Sequence, residues 1–250
     1  MPNTKDQRQK FLDAVDSFRQ AESVDDLWNR LHRVLADYGV GGIFYGWVVM
    51  PPPGNRKEHH SFTISSYRKD YLDIKLSEKY FEHDPYYNRL FFTKDDILWS
   101  DLKVIDTFTK MELESTGIDY DYDILTGVTL PFQFAGSLGI SGCSLHTPFL
   151  SWGEFERLWQ EKGRLVRAIV SAFDVCLRER HIRSIHPLTP RESECLQWLA
   201  NGLRPQQIAF RFGTHAKTVE KQISDARAKL QANNAAQAVA KALILGLIEV

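Results

Sequence analysis

Cysteine is scarce in this chain of 250 residues: Cys143, Cys176 and Cys195 are the only three, and they stand far apart. Such spacing speaks against a disulfide framework, and without a CxxC or CxH pair no metal site is expected. Long apolar runs are missing too. No stretch approaches twenty apolar residues, so no membrane span is expected. The opening MPNTKDQRQKFLDAV is polar and amphipathic and lacks the apolar centre of a signal peptide, which leads us to expect a cytoplasmic protein. Neither charge sign dominates, with 31 Lys/Arg against 32 Asp/Glu. The near-balance hides a mildly basic tail, +3 from Leu188 onward, on a body of −4.

What is present reads as two modules. Phe11, Leu12, Val15 and Phe18 mark one face of a helix over 5–19. Leu27, Leu31, Val34 and Leu35 mark a second over 24–38. GGIFYGWVVM (41–50) is rich in strand formers and ends at the turn segment PPPGNRKE. SFTISSY (61–67) alternates and is expected to pair back across that turn. A helical run near 69–80 follows, then strands at 126–133 and 138–146, joined by a hairpin turn at AGS (135–137). Ser151 and Glu154 have capping-box spacing ahead of a long helix, on which Phe155, Leu158, Leu165, Ile169 and Phe173 recur to about Cys176. The expected class is α+β: an N-terminal α/β/α sandwich with an antiparallel sheet over 1–177 and a four-helix C-terminal domain over 188–250. RERHIRSIHP (178–187) is charged, ends in proline and is the candidate linker.

Thr189 and Glu192 form another capping-box pair, with Pro190 at the first helical position. Asn201-Gly202 stops that helix, Pro205 opens a short one that Gly213 ends, and a third runs from Lys217 to Leu230. A fourth covers about 235–247. Val219, Ile223, Ala226 and Leu230 form the apolar stripe of the third helix, while Lys217, Thr218, Lys221, Gln222, Ser224 and Asp225 lie off it. Short helices around a tight turn, with one polar outer face, describe a helix-turn-helix. They also describe a small helical bundle that binds no DNA. Periodicity leaves both open.

LTPRESECLQWLANGLRPQQIAFRFGTHAKTVEKQISDARAKL, followed by QAVAKALILGLI, resembles the LuxR-type DNA-binding domain over about sixty residues. The resemblance implies that the third helix reads a double-stranded operator and that the fourth contributes to a homodimer. By position it makes Lys217, Thr218, Lys221, Gln222 and Ser224 the DNA-binding residues, with Lys221 and Ser224 nearest the bases. Glu220 departs from the pattern, standing where relatives often carry a basic residue. It either points to solvent, pairs with Lys217, or accepts from a cytosine amino group.

The segment before the linker resembles the autoinducer-binding domain of quorum-sensing regulators, which accept N-acyl-homoserine lactones. Its anchors are Tyr67, Asp84-Pro85, Trp99 and the Gly127–Pro131 strand. The resemblance implies that Asp84 accepts from a ligand N–H, Tyr67 donates to the acyl carbonyl and Trp99 walls the lactone. Two positions depart from the family: Tyr71 replaces a lactone-binding tryptophan and Lys75 a tyrosine. Tyr71 retains an O–H donor. A buried Lys75 has to leave the pocket, pair with a carboxylate, or meet an acceptor-rich ligand. The sheet position that presents Ser or Thr to the ligand falls among Ser141, Gly142, Cys143 and Ser144. No nucleophile–base pair is evident, so binding without turnover is expected, with no cofactor beyond the small-molecule ligand and no catalytic residue. His59-His60 sits in a charged loop without a third ligand. Two rivals remain: a ligand-independent regulator whose N-terminal domain serves only protein contacts, and an enzyme with a DNA-binding tail.

Overall fold

In the computed structural model, residues 4–49 and 60–249 are described. The PPPGNRKE turn and His59 lie outside them. The chain divides into two compact units, Met1–Cys176 and Leu177–Val250.

The first unit opens with α1 (Thr4–Arg19) and α2 (Val24–Ala36), the latter capped by the Ser23 hydroxyl accepting from the Asp26 amide. Five strands follow: β1 (Gly42–Val49), β2 (His60–Ser65), β3 (Ile97–Leu98), β4 (Gly127–Phe134) and β5 (Gly139–His146). They pair antiparallel in the order β2-β1-β5-β4-β3. A 3₁₀ turn at Ala135–Ser137 closes the expected hairpin, with Gly136 at φ 66. The last layer is α8 (Trp152–Ile185).

Register decides which side chain serves which face, because successive residues of a strand point to opposite sides. Tyr45, and Ser141 opposite Trp47, both donate to Asp174 on α8 at 2.6 Å. Phe18 of α1, Trp28 of α2 and Tyr45 all pack against Phe173. That side is a filled core. The other sheet face carries α3 (Lys69–Lys75), α4 (Glu78–Phe81), α5 (Pro85–Arg89), α6 (Leu102–Ile105) and α7 (Lys110–Asp121). This is the expected three-layer α/β/α arrangement.

Three features differ from the sequence reading. The helical run near 69–80 is two helices, because Ser77 turns extended (φ −62, ψ 149) and its hydroxyl donates to the Ile74 carbonyl at 2.7 Å. Helix α7 and the two-residue β3 were not foreseen. The segment 178–187 is helical through Ile185, and residues from Leu177 belong to the second unit. Charge and missing apolar periodicity there do not break the helix, since Glu and Arg are good helix formers.

The second unit continues through α9 (Pro190–Ala200), α10 (Pro205–Phe212), α11 (Ala216–Lys229) and α12 (Ala235–Ile244). Thr189 and Glu192 make both bonds of a capping box. Gly213 (φ 61) ends α10 and Gly246 (φ 67) follows α12, left-handed positions that suit glycine. Cys195, Ile208, Ala209, Val219 and Ile223 form the small core. Lys241 is buried, and its ammonium donates to the carbonyls of Leu230 and Gln231, satisfying acceptors that the end of α11 leaves open.

Candidate functional site

On the α3–α7 side the sheet is built with small residues. A Cβ added at Gly42 would run into the Tyr67 ring, one at Gly127 into Trp99, and one at Gly142 into Leu90. Between this floor and the helices lies a cavity of about 110 Å³. Val48, Leu90 and Ile140 form an apolar cluster on it, joined by Tyr87 and Phe91. Tyr71, Trp99 and Ile124 form a second cluster at the polar end. The register sorts the four candidates for the open sheet position by face. Ser141 points to Asp174 and Cys143 is fully buried, while Gly142 and Ser144 line the cavity with Thr129.

The structure brings Tyr67, Tyr71, Lys75, Asp84 and Trp99 together around this cavity. Asp84 caps α5: Oδ1 accepts from the amides of Tyr86 (3.0 Å) and Tyr87 (2.7 Å). Its other oxygen, Oδ2, lies 3.0 Å from Lys75 Nζ. Lys75 thus takes the second of its three routes and pairs, but with two carboxylates. Asp119 Oδ2 stands at 2.8 Å, and Ser115 adds its carbonyl at 3.0 Å and its hydroxyl at 3.2 Å. Burial works against the Lys75 ammonium, yet Asp84 and Asp119 outweigh it, and its pKa is raised. Asp119 is pushed up to about 6, by burial first and by Asp84, with Lys75 pulling the other way.

Tyr71 donates its hydroxyl to Asp119 Oδ1 at 2.7 Å. Its expected role as a donor to a ligand carbonyl is therefore already taken by a protein carboxylate. Burial and the Asp119 charge hold that phenol far above its usual pKa, so it remains a donor. The Trp99 indole donates to Thr129 Oγ1 at 3.0 Å, and Thr129 shares a proton with Ser144 at 2.9 Å. Trp99 packs against Tyr86 with centroids 5.6 Å apart. The Tyr67 hydroxyl is buried and has no hydrogen-bond partner. An unpaired buried hydroxyl is costly, and at this cavity wall it is a donor without a protein partner. Sequence reasoning missed Asp119 and Ser115. The Thr109–Glu112 capping box at the start of α7 was the available signal.

In the second unit, α11 turns Val219, Ile223 and Ala226 inward. Lys217, Thr218, Glu220, Lys221 and Ser224 are exposed, and Gln222 is half-buried. Lys221 Nζ pairs with Asp225 Oδ2 at 2.8 Å, one helical turn on. The helix is held from behind by buried Glu192, which accepts from the Thr189 amide at 2.7 Å and from Lys229 Nζ at 2.8 Å. Glu192→Ala removes a cap and a partly buried ion pair together, so we expect about 2 kcal/mol of lost stability. Thermal denaturation of the full chain, followed by helix circular dichroism, reads it. A change below 0.5 kcal/mol would show that Glu192 is not an anchor (about the size of an ordinary surface substitution).

Among the described residues, no helix is long and apolar enough to cross a membrane. The autoinducer binding domain family matches residues 23–174, and the luxR family of bacterial regulatory proteins matches residues 186–242. The chain is 25% identical over 243 residues to the quorum sensing-dependent transcriptional regulator RpaR of Rhodopseudomonas palustris, covering 96% of this chain and 95% of that one. It is 22% identical to the transcriptional activator AnoR of Acinetobacter nosocomialis, covering 94% and 98%. SdiA of Escherichia coli shares the fold, with a TM-score of 0.56 at 18% identity and coverage of 98% and 99%. SdiA in complex with octanoyl-rac-glycerol gives the same TM-score. A cavity roofed by an autoinducer-type domain and an exposed helix in a luxR-type module thus occur in one chain, which belongs to the LuxR-type quorum-sensing family of ligand-responsive, DNA-binding transcriptional regulators.

Proposed function

We propose that this chain is a cytoplasmic, homodimeric transcription regulator that senses an N-acyl-homoserine lactone or a related acyl small molecule through residues 1–177 and reads DNA through residues 188–250. The observation that carries the sensing half is the unfilled cavity ending at the unpartnered Tyr67 hydroxyl. A domain serving only protein contacts has no need of such a space. Asp84 Oδ2 accepts from the ligand amide, Tyr67 donates to its carbonyl, and Trp99 packs against the head group. Lys75 and Tyr71 shape the polar end.

In the DNA-reading half, Lys217, Thr218 and Gln222 hold phosphates, while Lys221 and Ser224 approach base edges from α11. Two copies of α11, paired by dimerisation, match a two-fold-symmetric operator. Ligand that binds only the native state stabilises it by mass action.

The test is direct. Protein purified from its native host is extracted, and co-purifying small molecules are identified by mass spectrometry. The extracted compound is then added to gel shifts against genomic fragments. Retardation that changes with the compound supports the reading. No retarded species under any small-molecule condition would overturn it.

A further inference from the structure

The polar end of the cavity has more places for protons than protons. Lys75 has three N–H bonds, and four acceptors stand around it: Asp84 Oδ2, Asp119 Oδ2, and the carbonyl and hydroxyl of Ser115. None of its protons is left for a ligand. Tyr71 has given its proton to Asp119, and Trp99 has given its indole proton to Thr129. The Tyr67 hydroxyl has no partner, one hydroxyl of the Thr129–Ser144 pair is not committed to the other, and Tyr86 lines the same cavity.

Acceptor capacity is in surplus. A carboxylate offers about four acceptor sites. Asp84 uses three, two for backbone amides and one for Lys75. Asp119 uses two, for Tyr71 and Lys75. About three sites therefore remain, on two carboxylates that share one ammonium. Burial first, and then the Asp84 charge, push Asp119 up against the pull of Lys75, the ammonium that both acids share. Around the acids stand Tyr67, Tyr71, Tyr86 and Trp99, whose ring faces attract cations. A lactone ring carries only acceptors, and the position at which the family resemblance places its carbonyl donor is Tyr71, already committed.

We propose that the cavity takes an acyl amphiphile whose head group is an ammonium, seated beside Asp84 and Asp119 within the ring of Tyr67, Tyr71, Tyr86 and Trp99, in place of a homoserine lactone. The inference rests on the ligand-sensing reading above. The ammonium fills the open acceptor sites and cancels the surplus negative charge. The acyl chain lies along Val48, Leu90 and Ile140.

Three N-octanoyl amides that differ only in head group decide it: N-octanoyl-1,4-diaminobutane (ammonium), N-octanoyl-3-aminopropane-1,2-diol (hydroxyls) and N-octanoyl-homoserine lactone (no donor beyond the shared amide N–H). Titration calorimetry on the full-length protein at pH 7.5 is expected to show the ammonium probe binding about tenfold or more tighter than the lactone, a gap of about 1.4 kcal/mol. In Asp119→Asn, which removes the surplus charge, that preference narrows about tenfold, with circular dichroism reporting whether the variant folds. The wild-type ranking stands as a test even if it does not. If the lactone or the diol amide binds as tightly as the amine, the proposal is overturned while ligand sensing survives. If no probe binds and DNA retardation ignores all three, the proposal falls together with the sensing reading.

Discussion

Lys75→Met is expected to destabilise the first unit by about 3–5 kcal/mol at neutral pH, the range for leaving one side of a buried ion pair uncompensated. Methionine keeps the length of the stem and fills much of its volume, so the loss reports the charge. Without the ammonium, Asp84 and Asp119 face each other across a buried site. Asp84 keeps its two amide bonds and Asp119 keeps Tyr71. The strain falls on Asp119, already raised to about 6 with the lysine in place. The sign with pH follows. A carboxyl raised in the folded state binds more protons there than in the unfolded chain, so stability grows as pH falls from the folded pKa toward the unfolded value near 4. The Lys75→Met deficit therefore shrinks between neutral pH and about pH 5. In the double variant Lys75→Met/Asp119→Leu part of the loss returns, because the second acid leaves with the lysine, while Asp84 Oδ2 and the Tyr71 hydroxyl stay buried without those partners. Urea unfolding followed by tryptophan fluorescence is the measurement, since Trp28, Trp47 and Trp99 are buried in this unit. A loss under 1 kcal/mol, typical of an exposed pair, would mean the ammonium is not held between the two acids.

Removing the two exposed lysines of α11, in Lys217→Ala/Lys221→Ala, is expected to weaken operator binding at least about tenfold and, through the phosphate contact of Lys217, to lower the salt-dependence slope by about one. Both side chains are exposed, so the fold of the module should be untouched. Their partners differ, and that makes the prediction sharper. Lys221 is tied to Asp225 in the free protein, so a base-edge acceptor has to compete for it. Asp225→Asn releases Lys221 and removes a negative charge from α11. Affinity should then rise, by a few-fold at low salt and less at high salt. Glu220 is solvent-exposed beside them. If Glu220→Gln lowers affinity for only one base-pair identity, the acid is reading a cytosine amino group; a uniform gain identifies simple repulsion of phosphate. Fluorescence anisotropy across a salt series distinguishes these outcomes. Unchanged affinity and slope in the double lysine variant would exclude α11 as the DNA-contacting helix.

The C-terminal module was legible because each of its boundaries is set by neighbours in sequence. Thr189, Pro190 and Glu192 start α9, Gly213 ends α10, and the stripe Val219–Ile223–Ala226 orients α11. The strands of the first unit were legible for a similar reason, since alternation and turn residues are local. Helix α7 was not. It buries Ser115, Thr116 and Asp119 and exposes Leu113 and Tyr120, the reverse of an amphipathic pattern. Apolar periodicity cannot find a helix whose inward face is polar. With α7 went Asp119, the residue that changes the meaning of Tyr71 and Lys75.

Residue order alone determined the class of each module, the exposed polar side of α11, and the presence of an odd lysine in an aromatic pocket. Folding across the chain decided what that lysine does. Its carboxylate partner lies 44 positions away and meets it only because α3 and α7 close over one face of the sheet. Hydrogen bonds between buried side chains are chosen by geometry in three dimensions, whereas caps, turns and stripes are chosen within a few residues, and for that reason the architecture could be read early and the polar end of the cavity could not.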